Sequence, residues 1–166
     1  MDTGAELELQ NLAEQVGAAL KQKRWLLATA ESITGGGISQ SITDIAGSSE
    51  WFDCGFVTYS NSSKIEQLDV PAALLAQFGA VSEEVAAAMA KGALANTEAH
   101  IALSTTGIAG PAGAVPGKPV GTVCFGWAHG TSASTERLVF QGDRHAVRLQ
   151  TAKHALKGLL KVLQRG

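Results

Sequence analysis

The chain first offers chemistry at "ESITGGG", residues 31–37, where an acid and a hydroxyl precede three glycines. Ser32 becomes a nucleophile if a base can take its proton, and glycine-rich backbone can present N–H groups to a developing oxyanion. The plainer possibility is that Ser32 or Thr34 caps a following helix. The G-x-S-x-G elbow of many serine hydrolases is absent. A base candidate appears in "TYSNSSK", residues 58–64, as Tyr59 or Lys64. Both ordinarily titrate near pH 10, so either needs burial or a neighbouring charge to act near neutrality.

A second glycine-rich segment is "TTGIAGPAG", residues 105–113, with Thr106, Gly107 and Gly110. Such loops let backbone approach a ligand, and helix N-termini bind anions, so the two segments together suggest a phosphate-bearing small molecule. Arg144 and Arg148 fall in the first turns of the last helix, where the dipole disfavours cations, so a ligand or carboxylate is expected nearby. Lys153, Lys157, Lys161 and Arg165 continue that stripe as a solvated face. His100, His129, His145 and His154 show no metal-ligand spacing, so neither a structural metal nor a cofactor is expected.

These residues need elements to position them. Leu9, Leu12, Val16, Ala19 and Leu20 recur at helical spacing, which predicts a helix over 6–23 despite Gly17. "WLLATA" (25–30), "CGFVTYS" (54–60) and "HIALSTTG" (100–107) read as strands. A helix is expected over 38–45, and a turn with a short helix after Ser60. Asp69 and Pro71 mark another start, and Ser82 caps a helix running to about Asn96. "VGTVCFGWA" and "TERLVFQG" read as a hairpin joined by "HGTSAS", residues 129–134. Asp143 caps a last helix with Ala152, Ala155, Leu156, Leu159, Leu160 and Leu163 inward. Strands alternating with helices and ending in a hairpin predict an α/β fold with a mixed sheet.

The bulk composition agrees. At 166 residues, 45% hydrophobic and 17% charged, the chain suits one domain, 1–166, with a substantial core. A net charge of −2 argues against nucleic acid and acidic membranes as partners. No apolar run reaches the roughly 20 residues of a membrane helix. The N-terminus lacks a basic segment followed by an apolar one, and Cys54 and Cys124 form no short-spaced pair, so a cytoplasmic location with free thiols is expected. Trp51 and Phe52 are expected to pack in the core or against another subunit, and an apolar surface there would favour self-association into a homo-oligomer.

As an ordered set, "TAESITGG", "TDIAGSSEWF", "GFVTYSNSSK", "GAVSEEVA", "TTGIAGPAG", "KPVGTV" and "GDRHAVR" resemble the CinA C-terminal domain family. The resemblance covers roughly Leu7 to Leu160. It implies a single three-layer α/β/α domain. Stand-alone members are nicotinamide-nucleotide amidases, so it implies hydrolysis of the carboxamide of nicotinamide mononucleotide to nicotinate mononucleotide and ammonia, in pyridine nucleotide salvage. It also implies Ser32 as nucleophile, with Tyr59 and Lys64 as base or proton-relay candidates. Thr106 would lie beside the substrate and Arg144, or Arg148 one turn on, would bind it. In the mechanism expected from these roles, N–H groups near Gly35 and Gly36 face the oxyanion. The "TTGIAGPAG" loop, with Gly107 and Gly110, and Arg144 hold the ribose phosphate. Thr34 lines the site. Glu31 positions Lys64 or accepts from a ribose hydroxyl. The alternative is a non-catalytic nucleotide-binding regulatory module linked to competence or DNA damage.

Overall fold

In the computed structural model, which describes residues 3–165, the chain is a three-layer α/β/α domain. Helix α1 (Thr3–Lys23) leads into β1 (Leu27–Glu31), α2 (Gly37–Thr43) and, after a short 3₁₀ turn, β2 (Phe52–Val57). Three helices follow: α3 (Asn61–Leu68), α4 (Ala72–Phe78) and α5 (Glu83–Ala95). Then come β3 (Ile101–Gly107), β4 (Thr122–His129), β5 (Ser132–Val139) and α6 (Arg144–Arg165). The sheet order is β2-β1-β3-β4-β5. The first three strands are parallel and the last two join antiparallel, giving the expected mixed sheet.

Side chains alternate across the central strands, as strand geometry requires. Leu27, Ile101 and Leu103 face one layer, with Val16 and Leu20 of α1 and Val147, Leu156 and Leu159 of α6. Ala28, Ala30 and Ala102 face the other, with Leu68, Leu75, Val85 and Met89 of α3–α5. Small residues on this second face let α5 come close: Ser104 Oγ donates to the Ala86 carbonyl at 2.6 Å. The caps read from the sequence are present. Ser82 Oγ accepts from Val85 N–H at 3.2 Å, and Asp143 Oδ1 accepts from Ala146 N–H at 2.9 Å. Lys153 and Lys157 of the basic stripe pair with Glu8 of α1 at 3.2 and 3.3 Å, tying the outer layer together at its surface.

Four expectations are corrected. The segment 129–134 is mostly strand, and only Gly130 and Thr131 separate β4 from β5. Gly130 has φ +60°, at the first of the two loop positions, where a tight hairpin favours glycine. Asp69 ends α3 in the left-handed conformation at φ +56° instead of starting α4. Strand β2 stops at Val57, because the next residues turn away to let Ser60 cap α3. Trp51 is 2% exposed and lies against Gly17, so it offers no surface for self-association; Phe52 is half-buried beside the same core.

Candidate active site

The carboxyl ends of β1, β2 and β3 meet where β1 is flanked by two parallel neighbours, the position at which open α/β sheets bind ligands. Ser32 follows β1 directly, and its N–H donates to the Thr105 carbonyl of β3 at 3.0 Å. Thr58 N–H donates to the Glu31 carbonyl at 2.9 Å, stitching the end of β2 to the same place. The chain then enters α3, whose first turn carries Lys64 back toward the strand ends.

Lys64 is 1% exposed and Ser32 7%. Lys64 Nζ reaches three acceptors: Ser32 Oγ at 3.0 Å, the Thr58 carbonyl at 2.7 Å and the Tyr59 carbonyl at 3.3 Å. Among the described residues no carboxylate pairs with it. Burial without a counter-charge pushes the ammonium down from its ordinary 10.5 to about 8. The geometry also dictates which proton leaves. Carbonyls only accept, so two N–H bonds must stay on Thr58 and Tyr59, and the lone pair of the neutral amine faces Ser32. In that state the Ser32 hydroxyl donates to Lys64.

A cavity of about 140 Å³ opens above this pair. Ser32, Lys64 and Thr106 form its buried floor, while Tyr59 and Arg144 are exposed at its rim. Ile33, Gly107 and Ala109 line one side and Ala80 and Val81, before α5, the other. Thr106 Oγ1 donates to the Ala80 carbonyl at 2.8 Å, so its lone pairs are left for a ligand donor. Arg144 spans the mouth: Nη1 donates to the Gly110 carbonyl at 2.8 Å and Nη2 to Tyr59 Oη at 3.2 Å.

Other predicted site residues serve the scaffold. Glu31 is fully buried, but its carboxylate accepts from Ile38 N–H, Ser39 N–H and Ser39 Oγ at 2.9, 2.9 and 2.7 Å. It therefore caps α2 from outside, and touches neither Lys64 nor the cavity. The helix cap residue itself is Gly36, with no side-chain bond, so Ser32 and Thr34 are not caps. Thr34 Oγ1 instead bonds Thr105 Oγ1 at 2.9 Å. Gly35 and Gly36 adopt φ +58° and +99°, which glycine alone takes without strain, and neither lines the cavity. Gly35 N–H is committed to the Ser32 carbonyl at 3.1 Å and Gly37 N–H to the Thr34 carbonyl at 2.9 Å, leaving those of Ile33, Thr34 and Gly36 without an acceptor among the described residues. Of the two arginines, Arg144 borders the cavity, and Arg148 reaches the carbonyls of Ile33 and Thr34 behind it. Ile33 and the Ala80–Val81 wall were not foreseen as site residues; no chemistry-bearing side chain marks them.

A three-layer domain with a buried serine–lysine pair at its parallel strand ends is the class that fold and site define. The profile of the CinA C-terminal domain matches residues 9–163, and the chain belongs to that family. It is 49% identical over 154 residues to the nicotinamide-nucleotide amidohydrolase PncC of Pseudomonas putida, covering 93% of this chain and 96% of that protein. The PncC of Escherichia coli K12 is 52% identical over 153 residues, covering 92% and 93%. A crystal structure of a CinA superfamily protein from Klebsiella pneumoniae superposes with a TM-score of 0.92 at 37% identity, covering 95% of this chain and 99% of that one.

Proposed function

We propose that this protein is a nicotinamide-nucleotide amidase that hydrolyses the carboxamide of nicotinamide mononucleotide through an acyl-enzyme on Ser32. The observation that carries the reading is the 3.0 Å contact between buried Lys64 Nζ and Ser32 Oγ beneath the cavity. The two PncC relatives, similar over nearly their whole lengths, supply the substrate.

Neutral Lys64 takes the hydroxyl proton as Ser32 Oγ attacks the amide carbon. The carbonyl π electrons move to oxygen, and the N–H groups of Ile33 and Thr34 receive that charge; one such donor is typically worth about 3 kcal/mol of barrier. Lys64 returns the proton to the departing nitrogen, releasing ammonia and leaving an ester. Water, deprotonated by Lys64, then attacks the ester and frees a carboxylate and Ser32. A cavity of about 140 Å³ is small beside ordinary ligand sites, so it admits the pyridine amide and leaves the ribose phosphate at the rim. There Arg144 exchanges the Gly110 carbonyl and Tyr59 hydroxyl for phosphate oxygens. Remote binding of this kind orients the amide for attack, and makes free nicotinamide a poor substrate. The product re-enters pyridine nucleotide synthesis, in keeping with a cytoplasmic enzyme.

Ammonia release from nicotinamide mononucleotide tests the reading. Wild type turns over and Ser32→Ala does not, while the variant keeps its fold and its affinity for the nucleotide. Wild-type turnover by Ser32→Ala removes the covalent route. No turnover by wild type leaves the non-catalytic nucleotide-binding module.

A further inference from the structure

Arg148 lies outside the cavity, yet it touches the backbone that carries the nucleophile. From the second turn of α6 its Nε donates to the Ile33 carbonyl at 3.1 Å, and its Nη2 to the Thr34 carbonyl at 3.2 Å. These are the two peptides that follow the Ser32–Ile33 bond. Their opposite ends are the N–H groups of Thr34 and Gly35.

Each peptide transmits what happens to its carbonyl. Gly35 N–H donates to the Ser32 carbonyl at 3.1 Å. A continuous path therefore runs from the guanidinium, through the Thr34–Gly35 peptide, to the backbone of the nucleophile. The other path runs through the Ile33–Thr34 peptide to the Thr34 N–H, which has no acceptor among the described residues. A cation on a carbonyl draws electron density from the attached N–H and strengthens it as a donor. Arg148 has no carboxylate partner among the described residues, so its charge is not cancelled locally.

Two further features fit this contact. A β-carbon on Gly35 would sit 3.2 Å from Arg148 Nη2, so glycine there keeps room for the guanidinium. The planar guanidinium places a separate nitrogen on each of the two successive carbonyls, in the fixed geometry of its fork.

We propose that Arg148 is a positioning residue: it fixes the 32–36 turn and polarises the Thr34 N–H toward the oxyanion. The inference rests on the serine mechanism proposed above. It assigns no substrate contact to Arg148.

Arg148→Ala is compared with wild type and Arg144→Ala by three measurements. Turnover of nicotinamide mononucleotide gives kcat and KM. The rate at which phenylmethylsulfonyl fluoride labels Ser32, read by mass spectrometry, reports the nucleophile without the nucleotide. Thermal unfolding reports the fold. For Arg148→Ala we expect kcat and the labelling rate each to fall, by roughly 100-fold at most, with KM nearly unchanged. Millimolar guanidinium ion restores part of both rates to Arg148→Ala and neither to Arg144→Ala.

Unchanged rates overturn the proposal, as does a higher KM at unchanged kcat, which would make Arg148 a substrate ligand. Rates that fall only with the folded fraction, without guanidinium rescue, also overturn it and leave a stabilising contact. If wild type is labelled at Ser32 but releases no ammonia, the substrate assignment fails and the labelling comparison still decides the role of Arg148. If wild type is not labelled at Ser32, both readings fall.

Discussion

Lys64 Nζ lies closer to the Thr58 carbonyl, at 2.7 Å, than to Ser32 Oγ, at 3.0 Å. The backbone contact holds the amine in place whether or not it is charged, and the serine contact reverses direction when the proton leaves. The Lys64 amine is thus held by backbone just past the end of β2, independently of Ser32.

The rate should follow that proton. With Lys64 at about 8, only about a tenth of the enzyme carries the neutral amine at pH 7. We expect kcat/KM for ammonia release to rise close to tenfold per pH unit from 6 to 7.5 and to level above about 8. A plateau already reached at pH 6.5 would assign the base to another group.

The same shift predicts a stability effect. The folded state lowers Lys64 from 10.5 to about 8, so between these values the unfolded chain binds more protons and stability rises with pH. Below about 8 both states are protonated and the folded protein carries the whole cost, about 3 kcal/mol at most. Lys64→Met escapes that cost but loses the bonds to Thr58 and Tyr59 at every pH. Thermal melts should therefore show wild type gaining on Lys64→Met from pH 8 to 10. A constant gap across that range contradicts the assignment.

Tyr59→Phe separates the two base candidates. The Tyr59 hydroxyl meets Arg144 at the rim, whereas its backbone carbonyl, kept in the variant, holds Lys64. Arg144 gives up that exposed hydrogen bond when it takes the phosphate, so its loss should leave KM unchanged or lower it, by roughly 10-fold at most, with kcat near wild type. A collapse of kcat would place the phenol in the proton relay.

Gly17→Ala should destabilise the fold although alanine is the better helix former. Helix propensity favours the change by about 1 kcal/mol. The new β-carbon, however, would sit 2.6 Å from Cζ2 and 2.7 Å from Cε2 of the buried Trp51 ring. Overpacking of that kind costs about 1–3 kcal/mol, so urea unfolding should show a lower midpoint.

Periodicity and caps made most elements legible. Ser82 and Asp143 start the helices they were expected to start, because cap chemistry is local. Residues 132–134 misled for a physical reason: β5 is an edge strand, and its exposed Ser132, Ala133 and Ser134 have the small, polar character of a turn. The small residues of the Ser32 turn marked it as a place of interest. The family resemblance, more than spacing, distinguished Ser32 and Lys64, which lie 32 positions apart and meet only through the ends of β1 and β2. Glu31 was legible as an acid but not as an anchor, since Ile38 and Ser39 come within reach only once the turn has folded. Arg148 was visible as a cation against the helix dipole, but its partners are backbone carbonyls, which carry no sequence signature.

The floor and the rim of the cavity occupy different environments. Ser32, Lys64 and Thr106 are sealed among the central strands, whereas Tyr59 is 66% exposed and Arg144 stands in solvent. Exposed positions tolerate replacement at a cost of about 0.5 kcal/mol or less, while buried polar ones do not. Under the proposed mechanism, substrate preference can therefore drift at the mouth while the reaction below stays the same. The architecture separates what the enzyme does from whom it accepts, and selection can act on the second without endangering the first.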